Sequence, residues 1–243
     1  MCIICTEPIE TLISLRELSC SGCHVLTSIP DTLVNLQTLF CRDCIALTII
    51  PDTLVNLQNI YCSYCLNLAL IPDTLINLQC LDCSCCPTLA SIPDTLVNLQ
   101  YLNCSGYSSA LVLIPNTLIN LRKLRCYNCL ISHIPDTLIR LEILDCSYCP
   151  ELTTIPETLV NLQELDCSHC PELTTISNAL ISLETLDCSD CTSLLYVPEH
   201  LVHKGVFKEV ENRRFTLQKE ILGVLVDNAV PSEIAQIIEK YCF

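Results

Sequence analysis

Apolar and polar positions alternate over short stretches of this chain, and the same pattern returns about every 21 residues. In residues 36–56, Leu39 and Cys41 fall on one side of the alternation and Phe40 on the other. A period of two over a few residues predicts a short β-strand. The alternation then stops, and the chain before Pro51 is extended because a residue that precedes proline avoids the helical region. Each unit therefore predicts a strand, a turn, a short helical or 3-10 segment and a return.

The repetition itself decides the architecture. Prolines mark the period, and Ser177 stands where one more is due: Pro8, Pro30, Pro51, Pro72, Pro93, Pro115, Pro135, Pro156 and Pro198. A period of 20 to 30 residues indicates a solenoid, in which each unit buries its apolar face against its neighbours. We predict an array of about nine repeats plus a partial first repeat over residues 1–198, with its strands stacked in parallel.

The unit LxxLxCxxCxxLTxIPDTLxN resembles the leucine-rich repeat, with cysteine at the last leucine of the strand and at the position that begins the turn. The sequence of this repeat looks most like that of the leucine-rich repeat proteins that giant DNA viruses of amoebae encode. The resemblance covers about residues 1–198. It implies an α/β solenoid: a right-handed horseshoe with a parallel sheet on the concave face and short helical or 3-10 segments on the convex face. It also implies a cytoplasmic protein, in the host cytoplasm if the source is viral.

The two ends of the array differ from its middle. Residues 199–243 leave the repeat and show helical spacing from Val206 to Val226, with a second helix start at Pro231, so we expect a C-terminal helical cap. The N-terminus opens inside a repeat and predicts an uncapped strand edge. Such an edge favours end-to-end pairing into a homodimer.

The net charge of −15 comes with 51% apolar and 16% charged residues. A chain this acidic repels phosphate, so we expect no nucleic-acid partner and no anionic membrane partner. It contains no apolar run of 18 residues and no secretory signal at its start, which favours a reducing cytosol.

The chain contains 22 cysteines, and most of them form CxxC pairs that recur once per repeat. We predict that both positions point into the core and stack as a structural ladder, in which the turn thiol donates to a backbone carbonyl as asparagine does elsewhere. Residues three apart on a strand are too distant for a disulfide. The alternative is a metal site of four thiolates, but we expect no metal and no cofactor. The ladder comprises Cys20, Cys23, Cys41, Cys44, Cys62, Cys65, Cys83, Cys86, Cys104, Cys126, Cys129, Cys146, Cys149, Cys167, Cys170, Cys188 and Cys191.

The strand positions that the core does not use vary from repeat to repeat, and they face the inner curve, where solenoids bind partners. They form an aromatic patch, a basic spot and an acidic end, and exposed aromatic residues and arginine are enriched in binding hot spots. The candidate partner-binding residues are Phe40, Tyr61, Tyr64, Tyr101, Lys123, Arg125, Tyr127, Tyr148, Asp145, Asp166 and Asp187.

No grouping of residues in this chain is typical of an enzyme, and it contains only five histidines and four glycines. We expect no catalytic residues. The favoured function is a non-catalytic scaffold that binds a protein or peptide on its concave face. Two alternatives stay open, which are a thiol-based metal-binding or redox protein and a self-assembling structural array.

Overall fold

The structure, a computed structural model, describes residues 2–106 and 111–202 of the 243-residue chain. Nine parallel strands form one sheet in sequence order, as the repeat predicts. The strands are β1 Glu17–Ser19, β2 Thr38–Phe40, β3 Asn59–Tyr61, β4 Cys80–Asp82, β5 Tyr101–Asn103, β6 Lys123–Arg125, β7 Ile143–Asp145, β8 Glu164–Asp166 and β9 Thr185–Asp187. The chain is thus a solenoid of stacked repeats, with the sheet on its concave side.

Neighbouring strands pair without any shift in register, so equivalent residues of successive repeats lie side by side. The middle residue of the strand, such as Leu39 or Ile60, points into the core and is fully buried. The first and third residues face outward. The pairing continues past the strand, because the Cys41 backbone N–H donates to the Tyr61 carbonyl at 2.9 Å. Every repeat therefore presents its variable residues at the same height on one face.

The convex side of each repeat consists of consecutive tight turns. In the repeat of Pro30, the Leu33 N–H donates to the Pro30 carbonyl at 3.3 Å, and the Leu36 N–H donates to the Leu33 carbonyl at 3.0 Å. Bonds from residue i+3 to residue i are those of a 3-10 helix. The predicted helical or 3-10 segments are therefore reduced to single turns of the 3-10 type. A unit of about 21 residues leaves little room for a longer helix.

Side-chain ladders join the turns of neighbouring repeats. The Asn77 amide nitrogen donates to the Val55 carbonyl at 3.0 Å, and the Thr74 hydroxyl donates to the Asp52 carbonyl at 2.7 Å. The same two bonds recur along the array, for example from Asn98. These ladders explain why the Thr-Leu-x-Asn segment changes so little along the chain: each polar side chain satisfies a turn carbonyl that the backbone leaves unpaired.

The N-terminal end of the core is covered, so the prediction of an uncapped end is wrong for the core, although β1 remains the edge strand of the sheet. Two short helices, α1 Ile3–Thr6 and α2 Ile9–Leu12, precede β1, and Leu12 is buried against the first repeat. α2 follows Pro8, where the repeat predicts a short helical or 3-10 segment, whereas no helix was predicted for α1, which precedes Pro8. Homodimer formation through the edge of β1 stays a prediction.

At the other end, α3 Glu199–Val202 follows the last repeat and buries Leu201. The remainder of the predicted C-terminal cap, including the helical pattern from Val206 to Val226, lies outside the described residues. Over residues 2–106 and 111–202, no helix has the length and apolar character that crossing a membrane requires.

Candidate functional site

The strand cysteines form one internal column of the predicted ladder. Cys41, Cys62 and Cys126 are fully buried, and the other strand cysteines are buried as well. Several of these thiols donate to a carbonyl in the next repeat, as Cys83 does to Asn103 at 3.5 Å. All described cysteines are free thiols. This column belongs to the hydrophobic core, where cysteine acts as a small apolar residue with a weak donor.

The turn cysteines form a second column with a more regular bond. From Cys44 onwards, each turn thiol donates to the backbone carbonyl of the strand cysteine one repeat earlier, at 2.9 to 3.3 Å. The donors are Cys44, Cys65, Cys86, Cys129, Cys149, Cys170 and Cys191. This is the hydrogen bond that the repeat sequence predicts for the turn position. Cys23 was predicted to begin this column, but no strand of the described residues precedes β1 to supply a cysteine carbonyl, and the Cys23 sulfur lies 3.6 Å from that of Cys5 instead. The remaining cysteines of the two columns form a structural ladder.

The surroundings of the strand column keep its thiols neutral. A hydrogen bond with Cys65, together with burial, raises the pKa of Cys41 well above its ordinary value of 9.0. Burial also raises the pKa of Cys83 and of Cys146 well above this value. Because the thiolate is the reactive and metal-binding form, these cysteines are chemically inert while the repeats stay folded.

The residue before each turn cysteine has a left-handed backbone, which the sequence analysis missed. The φ angles are positive at Gly22, Asp43, Tyr64, Cys85, Gly106, Asn128, Tyr148, His169 and Asp190. Glycine adopts this conformation freely, and asparagine, aspartate and histidine are enriched in it, whereas tyrosine and cysteine are strained. The N–H of this residue holds it in place by donating to the next repeat, as Tyr148 does to the Ser168 carbonyl at 2.8 Å. The five Gly, Asn and Asp residues of this column were the signal in the sequence.

The predicted aromatic patch splits into separate contacts. The rings of Phe40 and Tyr61 stack with centroids 5.0 Å apart and planes within 6°. The guanidinium of Arg42 lies 5.4 Å from the centroid of the exposed Tyr64 ring. A hydrogen bond with the Cys80 thiol raises the pKa of Tyr61 to about 12, so this phenol is neutral at physiological pH.

The aromatic residues further along do not extend this patch continuously. Tyr101 is half-buried, and burial raises its pKa above the ordinary value. Tyr127 is exposed on the next repeat. The exposed Tyr148 ring stacks on His169 with centroids 4.2 Å apart, which forms a second aromatic contact that the sequence did not predict.

The predicted basic spot and acidic end meet in one shallow groove of about 320 Å³. Lys123 and Arg125 lie at one side of this groove, and Asp145, Asp166 and Asp187 continue along it. Each strand pairs in register with the next, so these three carboxylates stand in a row. The groove thus changes sign from positive to negative over a few strands.

The aspartates of this row also hold the strand ends. Asp166 accepts hydrogen bonds from the Ser168 N–H at 3.0 Å and from the Ser168 hydroxyl at 2.7 Å. Asp82, Asp145 and Asp187 accept the same pair of bonds from the serine two residues later. Both bonds go to the same carboxylate oxygen, Oδ1.

Two further features were missed from the sequence. An aliphatic stripe runs outside the sheet, where the residue after the leucine of Thr-Leu-x-Asn, or of its variants Thr-Leu-Ile-Arg and Ala-Leu-Ile-Ser, is exposed: Val34, Val55, Ile76, Val97, Ile119, Ile139, Val160 and Ile181. A thiol cluster lies at the N-terminal end, where Cys5 is 3.7 Å from Cys2 and 3.6 Å from Cys23 between sulfur atoms. Although burial opposes it, hydrogen bonds from Cys2 and Cys5 lower the pKa of Cys23 to about 6. The Cys2-x-x-Cys5 spacing in the partial first repeat was the signal for this cluster.

The leucine-rich repeat family model matches residues 14–36, 140–162 and 161–183 of this chain. Together with the stacked parallel strands, these matches establish that the chain contains leucine-rich repeats and has the fold built from them. A comparison with curated protein sequences finds no match.

Solved structures show the same fold at low identity. The leucine-rich repeat domain of the type III effector XopL is 22% identical, with a TM-score of 0.64 over 81% of this chain and 76% of that chain. The Arabidopsis receptor kinase HAESA, in complex with the peptide hormone IDA and the co-receptor SERK1, is 23% identical, with a TM-score of 0.57 over 77% of this chain and 36% of that one. The plant peptide hormone receptor RGFR1, in complex with RGF2, is 22% identical, with a TM-score of 0.51 over 70% and 38%.

Proposed function

We propose that this protein is a non-catalytic scaffold that binds a protein or an extended peptide across its concave sheet. The observation that carries this proposal is the contrast between a uniform core and a varied sheet face. The stacked pair of Phe40 and Tyr61, the cations of Lys123 and Arg125, and the aspartate row all project from strands in constant register. A rigid sheet with aromatic and charged groups in fixed places suits the recognition of a segment of matching chemistry.

The spacing of these groups suggests the pattern of the ligand. Adjacent strands lie about 4.8 Å apart, so β3 and β6 are separated by about 14 Å, and β6 and β8 by about 10 Å. An extended peptide rises about 3.3 Å per residue. The matching peptide has an aromatic or aliphatic residue, an acidic residue about four positions away, and a basic residue about three positions beyond that.

Other observations support this class of partner. The two plant receptors with this fold are bound to peptide hormones. The net charge of −15 disfavours nucleic acid and anionic membranes as partners. The free thiols of the ladder suit a reducing compartment, which favours our proposal of the cytoplasm as the location.

The test is a selection of random 16-residue peptides displayed on phage against the purified, reduced protein. We expect enrichment of peptides that carry an apolar, an acidic and a basic residue at the spacing above. Binding of a selected synthetic peptide is then measured by fluorescence anisotropy. The double variant Phe40→Ala/Tyr61→Ala should bind the peptide with an affinity at least tenfold lower. Arg125→Glu should lower the affinity for peptides that carry the acidic residue.

A matched control removes apolar surface elsewhere. Val55→Ala/Ile76→Ala takes two exposed side chains from the aliphatic stripe and leaves the sheet face intact. If this control loses binding while both sheet-face variants keep it, the partner lies on the stripe and the proposal is wrong. Failure to enrich any peptide, with concentration-dependent self-association in light scattering, would instead favour the structural array.

A further inference from the structure

Cys2, Cys5 and Cys23 form a cluster that differs from the ladder. Cys2 precedes α1, Cys5 lies within α1, and Cys23 is the turn cysteine of the first full repeat. All three sulfur atoms lie within 4.8 Å of one another. No other such group of metal-ligand side chains occurs within residues 2–106 and 111–202.

The contacts of Cys23 show why this end differs. Later turn thiols donate to the strand cysteine carbonyl of the preceding repeat, as Cys44 does to Cys20 at 3.0 Å. Cys23 follows the first strand, and its sulfur lies instead 3.6 Å from the Cys5 sulfur. Cys5 is exposed and Cys2 is half-buried, so solvent reaches the cluster, whereas the ladder thiols are buried. The cluster thus combines a core thiol with two accessible ones.

Two of the three sulfur separations match those of a thiolate metal site. In a tetrahedral zinc site with Zn–S bonds of about 2.3 Å, neighbouring sulfur atoms lie about 3.8 Å apart. The separations of 3.7 Å and 3.6 Å are close to this edge length. The CxxC spacing also suggests Cys20 as a fourth ligand, but its thiol donates to the Phe40 carbonyl at 3.5 Å within the core. The set is therefore three thiols with one open coordination position.

We propose that Cys2, Cys5 and Cys23 bind one thiophilic divalent metal ion of the zinc type, with a solvent molecule or an external ligand in the fourth position. Binding releases the thiol protons as the thiolates coordinate the ion. The ion links α1 to the first repeat and fastens the N-terminal helices over the end of the core. This inference does not rest on the proposed peptide binding.

The test uses the full-length protein, stripped of metal and kept reduced with a phosphine. Zn²⁺ is titrated against a chromophoric chelator, and Co²⁺ is added as a spectroscopic probe. We expect one Zn²⁺ per chain, a tetrahedral Co²⁺ spectrum with thiolate charge-transfer bands, and a higher melting temperature with Zn²⁺.

Three variants assign the binding. Cys5→Ser changes an exposed residue, so the melting temperature of the metal-free protein should stay unchanged. Its Zn²⁺ affinity should fall by more than the roughly 10–100-fold that follows the loss of an outer-shell partner. Cys2→Ser should act in the same way. The control Cys80→Ser removes a half-buried thiol of the sheet and should bind Zn²⁺ as the parent does. Absence of competitive Zn²⁺ binding, or binding that Cys5→Ser leaves unchanged, would overturn the proposal.

Discussion

Two glycines occupy the same left-handed position in different repeats, and they allow the strain of that position to be separated from its packing. Gly22 has φ +71°, and a Cβ added to it would meet no atom within 4 Å. Gly106 has φ +108°, and a Cβ there would lie 2.6 Å from the Cys85 sulfur and 3.1 Å from the Cys85 backbone nitrogen. Both substitutions to alanine add strain, but only the second adds a clash.

The expected magnitudes follow from these contacts. Alanine in a left-handed conformation costs about 1–2 kcal/mol, so Gly22→Ala should lower the free energy of unfolding by about 1 kcal/mol. Gly106→Ala adds overpacking, which costs about 1–3 kcal/mol, and its φ lies further from the region that alanine tolerates. We expect a loss of about 3 kcal/mol at Gly106. In melting temperature, each kcal/mol corresponds to about 2–4 °C for a chain of this size.

The assay is urea unfolding of both variants under reducing conditions, followed by circular dichroism. Cys85→Ala serves as a second background, because it removes the nearest atom while the backbone contacts stay. In that background the Gly106→Ala loss should shrink but not vanish. Equal losses at the two glycines, or a neutral Gly106→Ala, would refute the reasoning from the clash.

Three other predictions concern the ladders. Folding raises the pKa of strand thiols such as Cys41 and Cys83 above 9.0, so the unfolded chain loses these protons at a lower pH than the folded protein does. The free energy of unfolding should therefore stay constant at neutral pH and fall above about pH 9, by roughly 1.4 kcal/mol per pH unit for each thiol. Thermal unfolding at stepped pH measures this loss. A stability that rises over this range would contradict burial of the column. Cys65→Ala removes a donor to the Cys41 carbonyl and leaves a small cavity, and should cost about 1–3 kcal/mol in urea unfolding, whereas Cys65→Asn, which restores an amide donor, should cost less. Asn77→Ala unpairs the Val55 carbonyl and should cost about 1 kcal/mol by the same assay, and no loss would show that water replaces the amide.

The core could be predicted from the sequence because apolar residues recur at the positions that each repeat buries. Leu39 and Cys41 alternate with Phe40, and the structure buries the first two and exposes the third. The turn cysteines were assigned their carbonyl acceptors correctly because asparagine performs the same task at that position in the leucine-rich repeat. Both inferences needed only local geometry and the assumption that neighbouring repeats stack in register.

Other features depend on contacts that no repeat unit contains. α1 lies ahead of Pro8, where the repeat pattern is incomplete, so its packing against the first repeat had no template in the sequence. The left-handed backbone at Tyr148 is held by the hydrogen bond that its N–H donates to the next repeat, against the preference of tyrosine, and His169 donates the equivalent bond. The pairing of Tyr148 with His169 follows from that shared conformation. Phe40, Tyr61 and Arg125 lie on strands, whereas Tyr64, Tyr127 and Tyr148, which were predicted at strand positions, lie in the turns that follow. The partner-binding role of the candidate residues stays a proposal.

The central claim is that the ladder cysteines have a structural role. Partner binding is then assigned to the sheet face, and metal binding to the cluster of Cys2, Cys5 and Cys23. The most direct test is brief alkylation of the native, reduced protein, followed by unfolding, alkylation with a mass-distinct reagent and peptide mapping. The account predicts that Cys5 reacts fastest, that the half-buried Cys2, Cys80 and Cys85 follow, and that ladder thiols such as Cys41 and Cys65 react only after unfolding. Rapid labelling of the ladder thiols in the folded protein would contradict it.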